Sequence, residues 1–85
     1  MKLWGRIKKD NECLADCTVT VKAKSAYEVE DWSEPFARLC HDMDIARPVI
    51  LKKHVRDLER FSHTVFLPAD FLESVGFDRF ETEIF

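Results

Sequence analysis

The chain has 85 residues, too few for two independently folding units, so a single domain spanning 1–85 is expected. Hydrophobic residues make up 46% and aromatics 12%, seven Phe among them, which excludes a disordered chain. A net charge of −3 with 34% charged residues excludes a general nucleic-acid or membrane-surface binder, which carries a basic excess, but leaves room for a local basic patch.

The first ten residues hold Lys2, Arg6, Lys8 and Lys9 and lack the apolar run of a signal peptide, and no later stretch approaches about 18 uncharged apolar residues. A cytoplasmic protein with no membrane partner is therefore expected. Three cysteines in so short a chain do not make a disulfide framework, so reduced thiols are the default.

From Lys2 to Lys8 the residues alternate, Leu3, Gly5 and Ile7 on one side and Lys2, Trp4, Arg6 and Lys8 on the other, which predicts a half-buried strand. Lys9 to Glu12 is polar and turn-prone. After it Ala15, Cys17, Val19, Val21 and Ala23 alternate with polar residues, so a hairpin with a loop of about four residues is expected. Residues 25–31 show no clear period.

Trp32, Phe36, Leu39, Cys40 and Met43 then fall on one helical stripe, with Ser33 as the expected N-cap and Pro35 in the first turn. Trp32, Phe36 and Leu39 are the expected core of that helix. Glu28, Glu30, Asp31 and Glu34 gather at its positive end. The stretch up to Pro48 ends the helix, because a residue before proline is pushed towards extended geometry.

Val49 to Leu51 is short, apolar and β-branched, which predicts a buried strand. Helical spacing returns over Lys52 to Phe61, through Leu51, Val55, Leu58 and Phe61. His63 to Leu67 is expected as a strand stopped by Pro68, Ala69 to Val75 as a turn of helix, and Phe80 to Ile84 as a final strand.

These pieces predict an α+β fold: one sheet of four to five mostly antiparallel strands, two main helices on one face, in the order β-β-α-β-α-β-β. Lys2, Arg6 and Lys8 on the first strand complement Glu81 and Glu83 on the last, so those two strands are expected as neighbours.

The segments MKLWGRI, CHDMDIARPVILKKH and FSHTVFLPADFLESVGFDRFETEIF together resemble a group of short, uncharacterised bacterial single-domain proteins. In that group a Leu-Asp-x-Pro-Arg-Pro-like stretch closes the first helix; here Ala46 stands at the proline and Ile50 at a following tryptophan. The resemblance implies a bacterial protein of one domain and carries no activity.

Chemistry-bearing patterns are sparse. Cys13 and Cys17 on one strand lie about 13 Å apart at about 3.3 Å per residue, beyond disulfide or shared-zinc reach. Cys40 and His41 point about 100° apart on a helix, so a thiol and base cannot meet there. Cys17, Cys40, His41, His54 and His63 are the residues an enzyme or metal site would use, as the third reading. Gly5 and Gly76 are the only glycines, so no phosphate-cradling loop can form and no cofactor is expected.

Two binding readings remain. Trp4 and Phe85, large aromatics placed by parity on the charged faces of the terminal strands, mark an interaction surface with Lys2, Arg6, Glu81 and Glu83, for a protein partner or a second copy of the chain. Lys52, Lys53, Arg56 and Arg60 form the one basic cluster, three of them at i,i+4 spacing, and are the candidate nucleic-acid contacts of the alternative reading.

Overall fold

A computed structural model describes residues 1–85. The chain runs β1 (Lys2–Lys9), β2 (Glu12–Thr20), α1 (Ser33–Met43), α2 (Lys52–Phe61), β3 (His63–Phe66) and β4 (Arg79–Ile84), with single 3-10 turns at Ala26–Glu28 and Pro68–Asp70. The sheet is four-stranded and antiparallel throughout, ordered β2-β1-β4-β3. The terminal strands are its two inner strands, neighbours as the charge pattern predicts, and the observed register sets Arg6 opposite Glu81.

The hairpin is tighter than expected. Asp10 and Asn11 both adopt positive φ, 52° and 66°, which closes a two-residue turn whose twist suits the strands. Both strands therefore run through residues assigned to the loop. A register shift after Ile7 leaves Leu14 as the extra residue of a bulge, half exposed. Asp78 fastens the turn by accepting the Asp10 N–H at 2.8 Å and donating its own N–H to Lys8 O at 2.8 Å.

The alternation of β1 turns Leu3 and Gly5 inward, where they meet Val19, Phe80 and Phe66 from the other strands and Trp32, Phe36, Leu39 and Leu58 from the helices. Both helices thus cover one face, and Trp32, Phe36 and Leu39 are buried as expected. Gly5 is needed there: a Cβ would sit 2.7 Å from Leu39 Cδ2 and 2.8 Å from Phe80 Cε1. Two buried threonines satisfy themselves while tying α2 down. Thr82 donates to Thr64 O at 3.0 Å and Thr64 donates to Asp57 Oδ2 at 3.1 Å.

Helix α1 begins one residue earlier than expected. Asp31 Oδ1 accepts the Ser33 N–H at 2.9 Å, so the capping oxygen comes from two residues upstream and Ser33 is already helical. The end is set by Asp44 in the left-handed region, φ 56°, whose N–H returns to the last turn.

The expected strand at 49–51 does not form, so the order is β-β-α-α-β-β. Pro48 bridges Phe71, Val49 gives its N–H to Asp70 O at 2.7 Å, and Leu51 becomes the N-cap position of α2. With its hydrogen bonds committed to the 68–71 loop, this segment never reaches the sheet. Helix α2 matches its expected span, but its buried side is rotated. His54 and Leu58 face inward, whereas Leu51 and Phe61 are exposed. No helix is long and apolar enough to cross a membrane.

Candidate functional site

The open face of the sheet carries the terminal-strand residues. Trp4 stands opposite Thr18 on β2 and Glu83 on β4. Its indole Nε1 donates to Asp16 Oδ2 at 3.0 Å, the Arg6 guanidinium carbon lies 4.3 Å from its ring centre, and Phe85 meets it edge-on with centroids 6.4 Å apart. These three contacts hold the ring half-buried and fixed. Phe85 keeps 63% of its surface exposed.

Beside this pair, Glu81 accepts from Arg6 Nε at 2.8 Å on one oxygen and from Arg79 Nε at 2.6 Å on the other, with Lys8 Nζ 3.5 Å away. Burial pushes the Glu81 carboxyl up, but the bonds from Arg6 and Arg79 and the charge of Lys8 outweigh it and bring it down to about 2. Lys2 is exposed at the strand end, where its backbone pairs with Phe85. The expected residues Lys2, Trp4, Arg6, Glu81, Glu83 and Phe85 therefore share one face. Asp16, Lys8 and Arg79 complete it.

The basic cluster divides. Lys52, Arg56 and Arg60 line one wall of a groove of about 550 Å³, floored by Ile50, Leu51 and Val55 and bounded by Tyr27 of the 3-10 turn, while Lys53 lies outside it. None of the four cations takes part in any of the molecule's ion pairs. The first turn of α2 also carries no acidic residue, so the positive end of its dipole is not offset. Tyr27, 70% exposed, forms part of a smaller cavity of about 270 Å³ on its other side, which Phe85, Met1 and Ile84 also line.

The acidic residues before α1 line a separate cleft of about 580 Å³ together with Lys22 and Arg38. Three of these four carboxylates, all but Glu30, are engaged locally. Glu34 pairs with Arg38 at 2.7 Å, Glu28 accepts the Lys24 N–H and Asp31 the Ser33 N–H, which holds the Asp31 carboxyl below its ordinary value.

The thiols and imidazoles are dispersed. Cys13 is exposed, Cys17 packs against the core from β2, and Cys40 is buried under α1, where burial, opposed by Arg47, pushes its thiol up to about 11. A thiol so placed is a poor nucleophile at neutral pH. His41 is exposed on α1, and His63 lies by the Phe61 carbonyl at 3.3 Å. No three His, Cys, Asp or Glu side chains converge in a way that would hold a metal ion.

His54 is the structural exception. It is 1% exposed, accepts the Leu51 N–H on Nδ1 at 2.9 Å and stacks on Phe66 at 4.2 Å, while Asp70 Oδ2 lies 3.7 Å from Nε2, beyond hydrogen-bond distance. It is a helix cap inside the core.

Tyr27 is the residue that the sequence pattern hides. It stands between Ala26 and Glu28 in a stretch with neither helical nor strand period, and a single 3-10 turn aims it at α2. Only its aromatic character in a polar stretch hinted at a contact role. Comparison with protein-family models, with curated proteins and with solved structures finds no match for this chain.

Proposed function

We propose that the chain is a non-catalytic binding module whose partner is a protein, docking on the open face of the sheet at Trp4 and Phe85 within the frame of Lys2, Arg6, Glu81 and Glu83. The observation that carries this reading is Phe85, left 63% exposed against a tryptophan that Asp16, Arg6 and Phe85 itself hold in place. An exposed phenylalanine set against a fixed tryptophan, with a charged rim, has the anatomy of an interface centre, because the tryptophan has little rotamer entropy left to lose on docking. The three unpaired cysteines suit a reducing, cytoplasmic setting.

Phe85→Ala tests the reading with little risk to the core, since that ring is mostly in solvent. Pull-downs with the wild-type and variant chains, each with and without nuclease, are compared alongside sedimentation of the purified proteins. A partner, or a second copy, that survives nuclease and is lost with Phe85→Ala is the expected result. Identical capture and identical sedimentation for both chains would overturn it.

A further inference from the structure

We infer that the groove between Tyr27 and α2 is a second docking surface, built for an acidic, amphipathic segment of a partner protein. Its cationic wall shares no residue with the Trp4–Phe85 face, and since Tyr27 also borders the smaller cavity that Phe85 lines, Arg56 and Arg60 are the residues that separate the two readings.

The first argument is charge. Lys52, Arg56 and Arg60 are spaced four residues apart on one helix, about 6 Å of rise per step, and none has a carboxylate partner within the chain. Three of the other four arginines are engaged: Arg6 and Arg79 share Glu81, and Arg38 takes Glu34, while Arg47 stands alone beyond the end of α1. With no acidic residue in its first turn, α2 adds the positive end of its dipole at the Leu51 end.

The second argument is the floor. Ile50, Leu51 and Val55 are aliphatic and Leu51 is 46% exposed, which gives a segment with apolar side chains something to cover. Tyr27 supplies a wall that is apolar across its ring and polar at its tip. Acidic side chains set over the cationic wall, with apolar ones between them over the floor, match the groove in both respects.

A nucleic-acid strand fits less well. Base stacking needs a run of aromatic platforms and this groove has Tyr27 alone, Glu59 also lines it, and the chain as a whole carries −3.

The test is selection of a random peptide library against the whole chain, followed by fluorescence anisotropy of synthetic hits and, in parallel, of labelled oligothymidylate. Hits rich in Asp and Glu interleaved with large apolar residues are expected. Their affinity should fall about tenfold with Arg56→Glu combined with Arg60→Glu, fall measurably with Tyr27→Ala, and weaken steeply with added salt. The neutral pair Arg56→Gln and Arg60→Gln should give a smaller loss and guards against misfolding of the reversed variant, with circular dichroism as the check. Hits without acidic residues, acidic hits indifferent to charge reversal, or no enrichment would overturn the inference. Oligothymidylate binding that depends on Arg56 and Arg60 and exceeds that of every peptide would replace the acidic segment with a nucleic acid.

Discussion

Arg6 and Glu81 face each other across the two inner strands, 75 positions apart in the chain and joined at 2.8 Å, and the second oxygen of the same carboxylate is taken by Arg79 at 2.6 Å. One acid thus holds two guanidinium groups on the open face. Its carboxyl is lowered from an ordinary 4.5 to about 2 in the folded chain, so its contribution to stability is complete above about 4.5 and is lost as pH falls towards 2. Glu81→Gln should cost about 1–2 kcal/mol at neutral pH and remove part of the acid dependence between those values. Urea unfolding at a series of pH values is the measurement, and parallel curves for variant and wild type would refute the assignment.

Gly5→Ala should destabilise by about 1–3 kcal/mol, because the new methyl meets Leu39 and Phe80 at less than van der Waals distance. Combined with Leu39→Ala the two costs should add to less than their sum, since the truncated leucine vacates the space the methyl needs. Thermal unfolding of the four proteins of that cycle decides it, and strict additivity would show that Leu39 is not the obstacle.

His54 should titrate below 6.5. Burial disfavours its charged form, outweighing Asp70 and Asp57, with Lys53 adding to the depression. Protonating Nδ1 also destroys the acceptor that caps the Leu51 N–H. The unfolded chain then binds a proton more readily than the folded one, so this residue makes stability fall as pH drops through and below about 6.5. An imidazole titration by NMR showing a midpoint at or above 6.5 would contradict the buried-cap geometry.

Phe36→Ala should cost about 3–5 kcal/mol, enough to unfold a large share of a domain this small. Its ring is 1% exposed and packs on Trp32, Phe66 and Phe80, joining α1 to the sheet. Full resistance of the variant to proteolysis would show that α1 is held some other way.

The inner strands were legible because each buries one face, so parity separates Leu3 and Gly5 from Trp4 and Arg6, and opposite charges then predict that the two strands are neighbours; the register that sets Arg6 against Glu81 comes from the structure. Helix α1 was legible for the same reason, its apolar stripe being the face it buries. Helix α2 misleads, because apolar residues mark a buried face only where the fold has room to bury them. Its inward side holds a histidine cap and one leucine, and its remaining apolar residues line a groove or lie open to solvent. The 49–51 segment misleads differently. Its β-branched composition is real, but a bridge at Pro48 and a bond to Asp70, both made with a loop some twenty positions downstream, decide its place. The open-face residues were found together by parity, whereas the Tyr27 wall of the groove depended on a turn with no period to read.

The placement of β1 and β4 in the middle of the sheet has a consequence for how the protein is made. β1 is synthesised before α1, α2 and β3, and β4 after them, so the β1–β2 hairpin has one edge of its inner strand unpaired until β4 emerges. The helices have half a sheet to pack against during that time, because β3 reaches the rest of the sheet only through β4. Closure of the sheet is therefore a long-range event, and the six residues Arg79–Ile84 join the β1–β2 hairpin to β3.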